Sequence, residues 1–376
     1  MKIIFNKQLV FVISAILGLS SVQAQIAPEK KDLGINVSFM DTKVKPNDDF
    51  FRFVNGTWLD KTEIPSDKTS WGSFNELRKK TDIDALNILK EAATNPIYKS
   101  NTDQGKAVNL FKTIMDTIGR NNNGLSPLKP YLAKINAVKN IKDLQVLLIE
   151  MEPIGGIGFF GVGVDADAKN SNRNVITLGP GSLGLPDRDY YVSEDKDPKE
   201  KREKYVLHVA RMLQFLGEKP WKAKKDAATI LALETAMSKP RFDRVERRDR
   251  RKSYNPMKVS DLQQLTPSIN WNVYLTNVGL KNVDSLIVSQ PKYMVALETI
   301  FKDNKVEAWK AYLRWTLLNR TTDKLSVAVE DANWEFYGKT LTGAIKQRAR
   351  DERALQVING SVGEALGKLY VEKMFP

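Results

Sequence analysis

The chain has 376 residues, of which 42% are hydrophobic and 27% charged, with 22 Gly, 16 Pro and a formal net charge of +13. This is a globular composition, enough for about two domains or one large one with a sizeable core. There is no cysteine and one histidine, His208. A thiol nucleophile, a disulfide framework, a thiolate-held metal and any site needing two imidazoles are therefore excluded within these residues.

The first residues have the pattern of an export signal. Lys2 and Lys7 precede an uncharged apolar stretch over residues 9–19, and Val22, Gln23 and Ala24 offer small residues where a signal peptidase cuts. The stretch falls short of the ~20 apolar residues of a stable span. Residues 1–24 are therefore expected to be removed and the remainder exported to a periplasm or the outside, a retained anchor being the alternative. Export takes Lys2 and Lys7 away but leaves a basic chain, spread along its length, which on its own argues solubility. Residues 25–45 are polar and aperiodic, a leader or linker, and residues 46–376 form the expected domain.

Aromatics crowd the start of that domain: Phe50, Phe51, Phe53, Trp58, Trp71 and Phe74. Helical periods then dominate. Val108, Phe111, Met115 and Ile118 mark one apolar face, as do Val206, Val209, Leu213 and Leu216, and Ala227, Ile230, Leu233 and Met237. Ser260 is the expected N-cap of a further helix. Residues 307–318, with Trp309, Tyr312 and Trp315, and residues 357–371 complete the helices. Between them, residues 157–164 are apolar, 165–174 turn-rich and 175–178 β-prone, a hairpin pattern. The fold class is mainly α: a multi-helix lobe with a small antiparallel hairpin insertion. The chain stops at Met374, Phe375 and Pro376 without a polar tail, so a cut inside a longer design is expected.

Several motifs bear on chemistry. Gly156 to Gly161 (GIGFFG) spells the dinucleotide fingerprint, which must follow a strand and open a helix to present amides to a pyrophosphate. Here Pro153 precedes it and a β-like run follows, so the glycines are expected to permit packing. Pro180 to Gly184 nearly spells a nucleophile elbow around Ser182, but Pro180 replaces the first glycine and His208 is the only imidazole base. Asp165 with Asp167, and Asp187 with Asp189, are carboxylate pairs that glycoside hydrolysis could use if their pKa values were split. Beside Arg188, the second pair is expected to be a capped, ion-paired loop.

Residues 239–252 hold eight basic side chains against Asp243, Glu246 and Asp249. An envelope polyanion could bind there, but interleaved acids point to internal pairing, and no nucleic-acid partner is expected. Catalytic zinc needs three protein ligands, usually two of them imidazoles; calcium on Asp/Asn-rich loops stays open, although no EF-hand spacing is present. No catalytic, cofactor or metal residue is therefore expected in this chain.

The text resembles the neprilysin-like M13 zinc metallopeptidases over about residues 41–376. The resemblance rests on Pro46 to Leu59 (PNDDFFRFVNGTWL), Ile64 with Pro65, and Trp71 to Phe74 (WGSF). It continues through Lys169 to Asn174 (KNSNRN), Gly184 to Tyr191 (GLPDRDYY), Arg244 to Asp249 (RVERRD) and Tyr254 to Met257 (YNPM). Phe336 to Leu341 (FYGKTL), Glu364 to Gly367 (EALG) and Leu369 to Val371 (LYV) complete it. The resemblance implies two mainly helical lobes around a cavity, with zinc held by a His-Glu-x-x-His helix and a downstream Glu in the C-terminal part. A peptide-docking Asn-Ala-aromatic strand lies there too, and none of these motifs occurs in this sequence. Asn47 stands where many relatives have a disulfide cysteine, and Ser70 where animal members carry a substrate-contacting Arg.

The resemblance thus implies the cavity-roofing N-terminal part of an oligopeptide-cleaving zinc enzyme, inactive alone. The zinc belongs to the complete family enzyme, and oligopeptides are reached only through a C-terminal catalytic lobe absent from this sequence. A non-catalytic module that captures peptides or a partner is the rival expectation.

Overall fold

The computed structural model describes residues 36–375, so the expected signal and most of the leader lie outside the described residues. The chain divides between Glu63 and Ile64 into two compact units.

The smaller unit holds a 3-10 turn, Val37–Phe39, and helix α1, Phe50–Lys61. Asp49 caps α1 by accepting the Arg52 amide at 2.8 Å. The leader is tied back to this helix through the Asp41 amide, which donates to the Phe53 carbonyl at 2.9 Å.

In chain order the larger unit carries α2 (Ser73–Thr94), α3 (Asp103–Met115), α4 (Ile141–Met151), β1 (Phe160–Asp167) and β2 (Asn170–Pro180). Next come α5 (Lys196–Phe215), α6 (Pro220–Ser238), β3 (Pro256–Lys258) and β4 (Ser285–Val288). Helices α7 (Pro291–Asp303), α8 (Val306–Thr321), α9 (Val327–Trp334) and α10 (Arg350–Met374) follow, with a π-helical segment, Glu335–Leu341, after α9. Mainly helical architecture with a small sheet is the expected class.

The expected hairpin is β1 and β2, paired antiparallel from Phe160 opposite Pro180 to Ala166 opposite Asn174. Most of the turn-rich stretch is therefore strand, and reversal takes place between Asp167 and Asn170. Strands β3 and β4 add to the hairpin in the order β1-β2-β4-β3. The β2–β4 pair is parallel, with Thr177 opposite Ile287, so the sheet is mixed rather than a lone antiparallel hairpin.

Two hydrophobic clusters fill the unit. The main one gathers the sheet and α4 to α9 around Phe159, Tyr205, Trp271, Tyr293, Tyr312 and Trp315. Rings meet edge-on or tilted, as between Phe159 and Phe301 at 5.0 Å, the geometry the ring quadrupole favours. The second cluster joins α2, α3 and α10 through Leu89, Val108, Phe111, Ile114, Leu355 and Ile358. Glu330 of α9, 7% exposed, fastens the two. It accepts from Arg120 at 3.0 Å, from Arg350 at 3.2 Å and from Arg353 at 2.7 Å.

Two local expectations need correction. The face marked by Val108 and Phe111 does not continue to Met115 and Ile118, which are exposed. Asp116 ends α3 and caps the next short helix by accepting the Gly119 amide at 2.8 Å, so Ile114 supplies the last buried turn. Ser260 is not an N-cap either. Its helix begins at Val259, directly after β3, with extended Lys258 in the cap position.

Candidate functional site

The loop leaving β2 at Pro180 is fixed by one buried acid. Glu234 lies on α6 among Ala227, Ile230, Leu233 and Met237 and is 1% exposed. Its Oε1 accepts the Gly184 amide at 3.0 Å, and its Oε2 accepts the hydroxyls of Tyr191 at 2.9 Å and Tyr205 at 2.8 Å. Trp315 Nε1 donates to the Tyr205 oxygen at 2.8 Å, and the Tyr337 hydroxyl donates to the Gly184 carbonyl at 2.8 Å. Burial pushes the Glu234 carboxyl up to about 7, against the opposing pull of the two hydroxyls and the amide. Burial, seconded by the Glu234 charge, raises both tyrosines well above their ordinary value. Gly184 is needed for the close approach: a Cβ there would stand 1.7 Å from the Tyr205 hydroxyl oxygen.

Above this support Asp187 is fully engaged. Its Oδ1 accepts the Asp189 amide at 3.2 Å, and its Oδ2 accepts Arg244 Nε at 3.1 Å and Arg247 Nη2. Burial alone would raise its pKa, but the Asp189 amide and the two guanidiniums hold it below the usual carboxylate range. Asp187 and Asp189 thus form the expected capped, ion-paired loop, with the cations coming from the basic stretch 239–252. Elsewhere in that stretch Arg251 pairs with Asp249 at 2.9 Å and Lys252 with Glu246 at 3.1 Å. The loop and Arg188, Arg241, Arg247 and Gln290 enclose a cavity of about 440 Å³.

The other candidates are held in local contacts. Asp167 is 1% exposed and accepts the Lys169 amide at 2.9 Å, Arg173 Nε at 2.8 Å and the Tyr254 hydroxyl at 2.9 Å. The amide first, then Arg173, lower its pKa to about 2. Asp165 accepts the Thr177 hydroxyl across the hairpin at 2.9 Å. Gly156 to Gly161 lead into β1 and open no helix, so no dinucleotide turn forms. Gly158, at φ +92°, lets the chain pass Tyr312 and Leu313, where a Cβ would come within 3.2 Å of either. Ser182 and His208 line different cavities and are not brought together as nucleophile and base.

Trp71, Arg78, Lys79 and Arg348 border a second cavity of about 480 Å³. Ser70 lines its neighbour of about 360 Å³ with Trp334 and Arg353.

His208 is 4% exposed and stacks on Phe336 at 4.8 Å and 10°. Neither ring nitrogen has a hydrogen-bond partner among the described residues. No group of three or more His, Cys, Asp or Glu is arranged to hold a metal among those residues either. One aromatic-packed imidazole and no thiolate do not fit a hydrolytic zinc.

Sequence reasoning missed Glu234, and read Arg241 only as one of the eight cations of the basic stretch 239–252. The available signal for Glu234 was its position, four residues after Ile230 and three before Met237, where an acid interrupts a buried face.

These features describe a helical scaffold lobe whose loops are locked by buried polar groups. The chain belongs to peptidase family M13, whose N-terminal model matches residues 46–376. It is 26% identical over 351 residues to endothelin-converting enzyme 1 of Rattus norvegicus, covering 89% of this chain and 45% of that protein. It is 25% identical over 357 residues to neprilysin-3 of Drosophila melanogaster, again covering 89% of this chain and 45% of that protein. Among solved structures, the inhibitor complex of the Mycobacterium tuberculosis zinc metalloprotease Zmp1 matches with a TM-score of 0.82 and 31% identity, covering 91% of this chain and 52% of that one. PepO from Lactobacillus rhamnosis shares the fold at a TM-score of 0.72 and 18% identity, covering 89% of this chain and 52% of that one. The chain spans about half the length of the relatives it matches. It is therefore an M13 N-terminal region, homologous to zinc metalloendopeptidases.

Proposed function

We propose that this chain is the N-terminal, cavity-roofing half of an exported M13 zinc metalloendopeptidase that cleaves oligopeptides, and that it is inactive by itself. The observation that carries the reading is the overlap: the match runs through residues 46–376 yet corresponds to only 52% of the Zmp1 chain. In this reading the residues that hold zinc lie outside the 376, because one histidine and no cysteine cannot supply the donor set. The role of the chain is then to shape and limit access to a cavity closed by another lobe. Export follows from the pattern of residues 1–24, and among the described residues no helix is long and apolar enough to cross a membrane.

The test is an internally quenched peptide assay with the purified 376-residue chain and added zinc. No turnover is expected. Chelator-sensitive turnover by pure material overturns the reading. The reading frame beyond codon 376 gives an independent check, since this proposal expects it to encode a His-Glu-x-x-His helix.

A further inference from the structure

The cavity above the Gly184 loop has an unbalanced charge. Arg188, Arg241 and Arg247 line it, and Asp187 is the acid on its wall. Both Asp187 oxygens are already used, one by the Asp189 amide and the other by Arg244 and Arg247. Arg188 reaches only Asp189, at a long 3.5 Å. Arg241 donates Nε to the Met237 carbonyl at 3.0 Å, lies 5.0 Å over the Tyr293 ring, and is also felt by the buried Glu234 carboxyl behind the cavity wall. Arg188 Nε and Arg241 Nη2 are both buried without any hydrogen-bond partner among the described residues. Leaving charged donors desolvated and unmatched is costly. Guanidiniums lining a cavity of this size suit an oxyanion, which each can grip through its planar N–H fork.

The rest of the wall narrows the class. Leu183 and Phe242, both half-buried, also face the cavity. A bare inorganic anion would leave those apolar surfaces against water, whereas a carboxylate on an apolar body covers them. We propose that this cavity is a binding site for a peptide carboxylate, a terminal one or an acidic side chain, held by Arg188 and Arg241 with its apolar neighbour against Leu183 and Phe242. The choice of a peptide as the carrier rests on the peptidase reading; carboxylate binding by the cavity does not.

The experiment is calorimetric titration of the 376-residue chain with N-acetyl-leucine, its uncharged amide N-acetyl-leucinamide, and inorganic phosphate. N-acetyl-leucine is expected to bind saturably, at least about tenfold tighter than the amide, since one charge-assisted hydrogen bond is worth that ratio. Arg241→Gln and Arg188→Gln should each weaken it by about tenfold. Arg248→Gln, on the exposed basic stretch and outside the cavity wall, should leave it unchanged. Circular dichroism melts verify that each variant is folded, and Arg188→Lys, which keeps charge but not the planar fork, should retain part of the affinity. Equal binding of acid and amide, tighter binding of phosphate than of N-acetyl-leucine, or an equal loss in Arg248→Gln each overturns the proposal. Binding is read without proteolysis, so this outcome is separate from that of the peptidase assay.

Discussion

His208 offers a sharp test of the core, because it is the only imidazole in the chain. Its ring lies flat on Phe336 and edge-on to Trp315 at 5.7 Å and to Tyr337 at 5.5 Å. Burial, reinforced by the nearby Arg211 charge, lowers its pKa from 6.5 to about 3. The folded chain therefore holds a neutral ring where the unfolded chain takes up a proton. The stability this contributes is fully present above pH 6.5 and is lost progressively as pH falls from there toward 3. At about pH 5 the loss amounts to roughly 2 kcal/mol, one and a half pKa units at about 1.4 kcal/mol each. His208→Leu removes this term and leaves every other titrating group in place. Urea unfolding of both proteins at about pH 8 and about pH 5 should show the variant gaining roughly 2 kcal/mol on the parent between the two conditions. Proton NMR supplies the direct reading, since a single imidazole Hε1 resonance belongs to this residue. A gap that stays constant with pH, or a resonance of the folded chain that titrates near 6.5, refutes the reasoning.

Other consequences are equally specific. Glu234 works in the opposite direction: its pKa is raised from 4.5 to about 7, so its contribution is present below pH 4.5 and lost as pH rises through 7. Glu234→Gln should therefore gain roughly 3 kcal/mol on the parent between about pH 4 and about pH 8, measured by the same unfolding curves. Gly184→Ala forces a Cβ to within 1.7 Å of the Tyr205 oxygen; a loss of about 1–3 kcal/mol in thermal unfolding is expected from overpacking. Glu330→Ala strands Arg120, Arg350 and Arg353 beside a buried gap. It should cost about 3–5 kcal/mol, and calorimetry should resolve the cluster of α2, α3 and α10 as a separate, earlier transition.

The helices were legible because burial on one side of a helix imposes a period on the text. Ala227, Ile230, Leu233 and Met237 are all 2% exposed or less, as their spacing foretold. The hairpin was legible for the same reason, from apolar runs either side of turn residues. Strand β4 was not, because its parallel partner β2 lies more than a hundred positions away and no local period records such a pairing. Glu234 was hidden differently. A helical wheel counts an acid as solvent-facing, and nothing local announces that Tyr191, Tyr205 and the Gly184 amide converge on it from three other segments. The Asp187 loop lay between: its ion-paired character could be read from Arg188, yet its real partners, Arg244 and Arg247, come from a basic stretch whose expected partners were its own interleaved acids.

The second hydrophobic cluster carries a consequence for how the molecule is made. Lys90 of α2 reaches Asp351 of α10 across 261 positions of sequence, and the apolar faces beneath them complete one another. Helices α2 and α3 thus have no finished core until α10 has emerged. Closing so long a loop is slow, and it keeps the chain's leading part open during synthesis. A nascent chain of this kind leaves the apolar faces of α2 and α3 uncovered until α10 arrives.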